Sequence, residues 1–364
     1  MNNLPTELLS SIHLTLLPTP TSTDRIRYSN YYRSRINALT RIRLVSKQWN
    51  DAVLDTPELW SYIEIQVAKW LDTIRLSLKR SKAAPLHIRI DFGDTRPGIR
   101  DDMVQMVELV WSQADRWETF GCEGVARFPL RLLPLGPHPS LREVCIRGKQ
   151  DTHTVDFQAP RLESLWEVTQ LTNIETSGTP ALRSWAVTYP TRRGEWERLI
   201  KIVENCSRLE WLRFLAHPGQ SDEGLRTLEA WSVPDANNGI AFPSLKQIEF
   251  IPIPLTVNFL SYILAPNLQR LVIRGSIFSD LSTGFPAPPR LFEACPKLKF
   301  IRFDSEVLTW DIQRWLSALS QDLIERLEVE VERQREDRLG PVLITEQQNQ
   351  LNSSIRIRWV YIES

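Results

Sequence analysis

The chain has 364 residues, with 44 Lys and Arg balanced by 44 Asp and Glu, and hydrophobic residues make up 42% of it. Nucleic-acid backbones are bound through an excess of positive charge, so a chain with no net charge is not expected to bind them. The apolar share is enough for a sizeable core, yet no stretch reaches the ~20 apolar residues of a membrane span.

Cys122, Cys145, Cys206 and Cys295 stand far apart, with no CxxC pair. They are expected to be buried thiols in a reducing compartment, with no disulfide framework and no zinc site. The first residues, Met1-Asn2-Asn3-Leu4-Pro5-Thr6-Glu7, lack the basic and apolar regions of a signal peptide. The expected setting is therefore soluble and intracellular, cytoplasmic and/or nuclear. The 14 glycines argue against phosphate-cradling loops, and the 13 tryptophans supply large surfaces that must be buried or used for contact.

The first predicted element is a helix opening at Leu4, with Pro5 at its first position and Glu7 in its first turn. Leu8, Leu9, Ile12 and Leu16 form its apolar stripe. Pro18-Thr19-Pro20-Thr21-Ser22-Thr23 ends it. A second apolar pattern, Ile36, Leu39, Ile42, Leu44, Val45, Trp49 and Val53, runs to Thr56-Pro57, followed by Leu59 and Trp60. Proline disfavours helix in the residue before it, which places a boundary there. A head this small needs a partner or a body to lean on.

LPTELLSSI followed by IRLVSKQWNDAVLDTPELW resembles the F-box. The segment Trp60–Ile90, with Trp70, Leu71, Ile74 and Leu78 and then Ala84-Pro85-Leu86-His87-Ile88-Arg89-Ile90, resembles fungal members of that family. The resemblance implies a head, residues 1–63, that docks the small acidic Skp-type adaptor and, through it, a cullin. Carried onto this sequence, Leu4, Pro5, Leu8, Leu9 and Ile12 match one contact segment, and Leu44, Val45 and Trp49 the other. Leu59 and Trp60 would pack the head onto the body. The sequence departs from the family in a long insert, residues 18–37. Its Arg25, Arg27, Arg33 and Arg35 interleave with Tyr28, Tyr31 and Tyr32, which reads as a solvated basic helix or a rim that steers the acidic adaptor.

Residues 64–364 repeat one phrase, Pro-x-Leu-x-x-apolar-x-apolar. It occurs at Pro139-Leu141-Val144-Ile146, Pro180-Leu182-Trp185-Val187, Pro243-Leu245-Ile248-Phe250, Pro266-Leu268-Leu271-Ile273 and Pro296-Leu298-Ile301-Phe303. Leu209-Leu212-Phe214 lacks the proline, and Pro160-Leu162-Leu165 ends on Glu167. The key leucines are 20 to 36 residues apart, around the period of leucine-rich repeats. Each copy would give one short strand, started by its proline. Helices are expected over 101–111, 195–203, 255–264 and 310–319, between the copies. Strands alternating with helices predict an α/β fold, an irregular leucine-rich-repeat-like solenoid with a parallel sheet that lacks the usual asparagine ladder. Leu327–Glu332 and Ile355–Ile362 alternate strictly, which predicts two final strands whose Glu and Arg rows could pair.

No GxSxG, P-loop, HExxH or GxGxxG motif occurs, and His13, His87, His138, His153 and His217 are scattered. The reading is of a substrate receptor of an SCF-type ubiquitin ligase, not an enzyme, with no cofactor or metal and an unnamed protein substrate. The rival class is a repeat-type interaction scaffold acting outside any ubiquitin ligase. For the substrate, side-chain alternation puts Trp211, Arg213, Arg270, Arg274, Phe300 and Arg302 on the face turned away from the core. They would receive an acidic or phosphorylated segment; the opposing reading is that loops cover the rings and the arginines pair with nearby carboxylates.

Overall fold

A computed structural model describes residues 5–17, 31–65, 71–91, 100–123, 138–147, 159–167, 181–188, 193–215, 240–250, 260, 262–274, 294–303, 327–334 and 356–362. The architecture is α/β with a large parallel sheet. The chain divides into two compact units, Met1–Leu162 with Leu171–Gly178, and Glu163–Gln170 with Thr179–Ser364.

The first unit begins with α1 (Thr6–Leu16), α2 (Tyr31–Arg43), α3 (Lys47–Asp55) and the 3-10 turn Pro57–Trp60. Pro5 is the residue before α1, not its first position, and its carbonyl accepts from the N–H groups of Leu8 and Leu9. The helix α2 takes in residues 31–37, so that part of the insert continues the second apolar segment; residues 18–30 lie outside the described residues. Arg35 is buried rather than solvated, with its guanidinium 4.1 Å above the Tyr62 ring. Leu17, Leu39, Ile42, Val53, Leu59 and Trp60 form the core of the head. Trp60 belongs to that core, donating its indole N–H to the Val53 carbonyl at 2.8 Å, and Arg80 of the following helix lies 4.4 Å above its ring.

Strand β1 (Tyr62–Ile65), α4 (Leu71–Arg80), β2 (Leu86–Asp91), α5 (Arg100–Trp111), β3 (Trp117–Glu123) and β4 (Glu143–Arg147) complete this unit, and its strands lie in the order β1-β2-β3-β4, all parallel. Arg116 closes the turn before β2: its guanidinium donates to the carbonyls of Ser81 and Ala84 and to the Ser81 hydroxyl. That turn includes Lys82 at φ 47°, a left-handed conformation that a side chain adopts only when its surroundings hold it. Strand β3 carries none of the Pro-x-Leu phrase, and its register against β2 shifts between Leu86 and His87. Trp117 and Phe120 therefore both face inward with two residues between them, which breaks the alternation a strand would show.

The second unit contains β5 (Ser164–Glu167), β6 (Ser184–Thr188), α6 (Arg193–Asn205), β7 (Trp211–Leu215), β8 (Ile240–Ala241), β9 (Gln247–Phe250), β10 (Ile263–Leu264), β11 (Arg270–Ile273), β12 (Phe300–Phe303), β13 (Glu328–Gln334) and β14 (Arg356–Ile362). Its sheet runs β5-β6-β7-β9-β11-β12-β13-β14 in chain order, with all neighbouring strands parallel, while β8 and β10 pair separately. The helix expected over 255–264 is corrected at its end, since Ile263 and Leu264 form β10. The helix expected over 310–319 lies outside the described residues.

The repeated phrase makes a turn before it makes a strand. In each fully described copy the leucine N–H donates to the carbonyl three residues back: Leu141 to His138, Leu162 to Ala159, Leu209 to Cys206, Leu245 to Phe242, Leu268 to Ala265 and Leu298 to Cys295. Proline occupies the second position of five of these turns, where its fixed φ suits the bend and its missing N–H is not needed. The expectation that proline starts the strand is thus moved back into the turn. Both the carbonyl residue and the leucine are buried in every one of these copies. Above the turns runs a ladder: the Arg183 N–H donates to the Glu163 carbonyl, Glu210 to Arg183, Lys246 to Glu210, Gln269 to Lys246 and Lys299 to Gln269. These backbone bonds tie the start of each strand to that of its neighbour.

Candidate functional site

In α1 the buried side chains are Leu9 and His13, continued by Leu17 just past its end, while Leu8, Ile12 and Leu16 are 51%, 38% and 60% exposed. Two helical stripes lie side by side at four-residue spacing, and the one containing histidine is turned inward. His13 is held by an edge contact with Trp49, ring centroids 5.1 Å apart, and both its ring nitrogens are buried with no hydrogen-bond partner among the described residues. Burial therefore holds its pKa below the ordinary histidine value, because a charged imidazole would be poorly solvated there. Ser10 and Thr56 fix the same contact between α1 and the segment after α3. Their hydroxyl oxygens are 2.7 Å apart, and since Thr56 donates its single proton to the Ala52 carbonyl, Ser10 is the donor.

The second segment is displayed by capping. Leu44 and Val45 donate their backbone N–H groups to Arg41 and Ile42, closing the last turn of α2. Ser46 then caps α3 by accepting from the Trp49 N–H at 3.2 Å. Leu44 and Val45 are left in the short corner between the helices, 81% and 61% exposed.

The matched residues are therefore not equivalent. Pro5, Leu8, Ile12, Leu44 and Val45 are exposed, Trp49 is half-buried against His13, and Leu9 is fully buried in the head's own packing. Leu9 is corrected from contact residue to core residue. Leu4 lies outside the described residues. Leu14 and Leu16 are further exposed apolar residues that the sequence reading did not assign to the contact surface.

A second surface is the sheet face turned away from the core. The inward set is as the alternation requires: Leu212 and Phe214, Ile248 and Phe250, Leu271 and Ile273, and Ile301 and Phe303 are all buried. Trp211, Arg213, Arg270, Phe300 and Arg302 are half-buried on the opposite face, with Arg274 one position beyond β11. They fall in two ranks across the strands: Trp211, Gln247, Arg270 and Phe300 are register partners, as are Arg213, Glu249, Val272 and Arg302.

Most of these arginines are engaged. Glu249, buried, forms an ion pair with Arg213 at 3.0 Å on one side and with Arg274 on the other. Arg302 meets Glu330 at 3.8 Å, so Glu330 is a paired side chain. Arg213 also extends across the small, fully buried Ala186 to lie 5.5 Å from the Trp166 ring, which itself contacts Trp211. Arg270 differs, lying 4.6 Å above the Phe300 ring. The Glu and Arg rows of the last two strands are in register, Glu328 with Arg356 and Glu330 with Arg358.

The first unit carries a comparable set that the sequence reading missed. Arg89 joins Glu64 at 3.5 Å to Glu123 at 2.8 Å, lying over Gly121, where a Cβ would stand 3.7 Å from the arginine chain. Beside it His87 stacks on Tyr62, centroids 4.2 Å apart, and its Nδ1 is 3.1 Å from the Thr119 hydroxyl. These contacts link separate strands and leave no local signature in the sequence.

Cys122, Cys206 and Cys295 are buried and Cys145 is half-buried; none is in a disulfide. Burial raises the Cys122 thiol and pushes Cys295 up to about 12, so neither is a nucleophile near neutral pH. Among the described residues no cluster of His, Cys, Asp and Glu could hold a metal ion, and no helix is long and apolar enough to cross a membrane. No protein-family model matches the sequence, and no curated protein matches it.

Proposed function

We propose that this chain is the substrate-receptor subunit of an SCF-type cullin-RING ubiquitin ligase. Its helical head docks a Skp-type adaptor, and its body, an irregular leucine-rich-repeat-like solenoid, binds a protein substrate. The chain itself performs no chemistry on this reading, and it works in the cytoplasm or the nucleus.

The observation that carries the reading is the outward apolar surface of the head. Of the eight large hydrophobic residues exposed among those described, six are Leu8, Ile12, Leu14, Leu16, Leu44 and Val45. Burying one such side chain is worth roughly 1.5–3 kcal/mol, so a cluster held outward by capping and helix geometry calls for a partner. Four of the six lie in the two segments that resemble the F-box contact regions. The body supports the reading through its buried turns, its parallel strands in chain order and its polar outer face, the elements a stacked repeat uses.

The test is co-purification of the full chain with a Skp-type adaptor. Pro5→Ala with Leu8→Ala should abolish it while the far-ultraviolet circular dichroism stays native. Retention of stoichiometric adaptor by the folded double variant would remove the assignment.

A further inference from the structure

The outer face of the second unit carries an unequal charge balance at its centre. Across β7, β9, β11 and β12, with the residue following β11, the outward positions hold four arginines, Arg213, Arg270, Arg274 and Arg302, against one carboxylate, Glu249. That carboxylate is shared by two guanidiniums, and the fourth arginine reaches to β13 for Glu330. Arg270 has no carboxylate partner among the described residues, and its Nε is buried without an acceptor.

Its position suits an incoming anion. A guanidinium over an aromatic ring is held by the ring's negative face, and its planar fork of N–H groups is left to pair with an anion that reaches it. Phe300 supplies the ring, and Gln247 is the register partner of Arg270 on the other side, a neutral residue that does not satisfy the charge. The positive charges are spread over several strands set ~4.8 Å apart, a spacing that fits several carboxylates along a peptide better than one compact dianion.

We propose that this face takes an acidic segment of a protein substrate, a peptide stretch bearing several Asp or Glu side chains, with Arg270 on its Phe300 platform as the central anchor. The inference rests on the reading of the chain as a substrate receptor. Arg213, Arg274 and Arg302 shape the field around Arg270 and keep their internal partners.

The experiment uses the full chain and three short fluorescein-labelled peptides: alternating Glu and Ala, alternating Lys and Ala, and a neutral peptide with one phosphoserine. The Glu peptide should bind, weaken as salt rises, and weaken by at least about ten-fold with Arg270→Glu and by a smaller factor with the neutral Arg270→Gln. Adaptor co-purification is measured on the same samples and should not change in either variant. Equal Glu-peptide binding by wild type and both variants overturns the proposal, as does Lys-peptide binding of similar strength, or capture of the phosphoserine peptide alone. Failure of the wild-type chain to take the adaptor would instead strike the receptor reading and leave the peptide result to stand by itself.

Discussion

Glu249 holds two guanidiniums, one from β7 and one from the residue following β11, and its burial makes the arrangement sensitive to loss of the anion. Removing one partner of a buried ion pair leaves uncompensated charge, here Arg213 and Arg274 facing each other across the gap. Glu249→Ala should destabilise the chain by about 3 kcal/mol in urea denaturation, well beyond the effect of an ordinary surface substitution. Arg274→Ala should have the smaller effect, because Arg213 continues to neutralise Glu249. The identities of the outward residues could be read from the alternation of their strands. Their partners could not, since Arg213, Glu249 and Arg274 become neighbours only once the strand order is known. Arg270 and Phe300 are likewise 30 positions apart in the chain and adjacent in the sheet.

Elements show both the strength and the limit of pattern reading. The phrase Pro-x-Leu-x-x-apolar-x-apolar located its strands well because leucine and the two following apolar residues all face inward. Leu268→Ala should cost about 2–5 kcal/mol by leaving a cavity, whereas Pro266→Ala should cost only about 0.4–1 kcal/mol by freeing the unfolded chain. Equilibrium denaturation of both variants separates the packing role from the turn role. Strand β3 escaped notice because its register shift and Gly121 erase the alternation. In α1 the pattern was seen, but the stripe divides, with Leu9 packed into the head. Leu8, Ile12 and Leu16 point out, while His13 is enclosed.

That histidine gives α1 a pH response. Its pKa is lowered in the folded head, so the unfolded chain binds more protons as pH falls below the ordinary histidine value of 6.5. Its neutral, buried state is therefore fully compatible with folding above that value, and stability declines as pH drops from there toward the depressed folded pKa. Calorimetric melting between neutral and mildly acidic pH should show this decline in the wild type, and His13→Leu should lose that contribution. A pH dependence unchanged by the substitution would mean that other groups govern it.

At the scale of the molecule, two surfaces of opposite character follow from the same sequence. The head presents uncharged apolar side chains on short helices, fixed by the Ser46 cap and the Ser10–Thr56 hydrogen bond. The second unit presents arginines and rings on a parallel sheet whose inward side chains, among the described residues, are apolar. The most direct measurement titrates a Skp-type adaptor into the full wild-type chain and into a Leu44→Asp, Val45→Asp variant. Both residues are exposed, so melting temperature should be nearly the same in the two proteins. A substrate receptor is expected to bind tightly as wild type and to lose at least about 2 kcal/mol, some thirty-fold, in the variant. Equal affinity for two folded proteins, or no wild-type binding at all, would contradict the receptor reading.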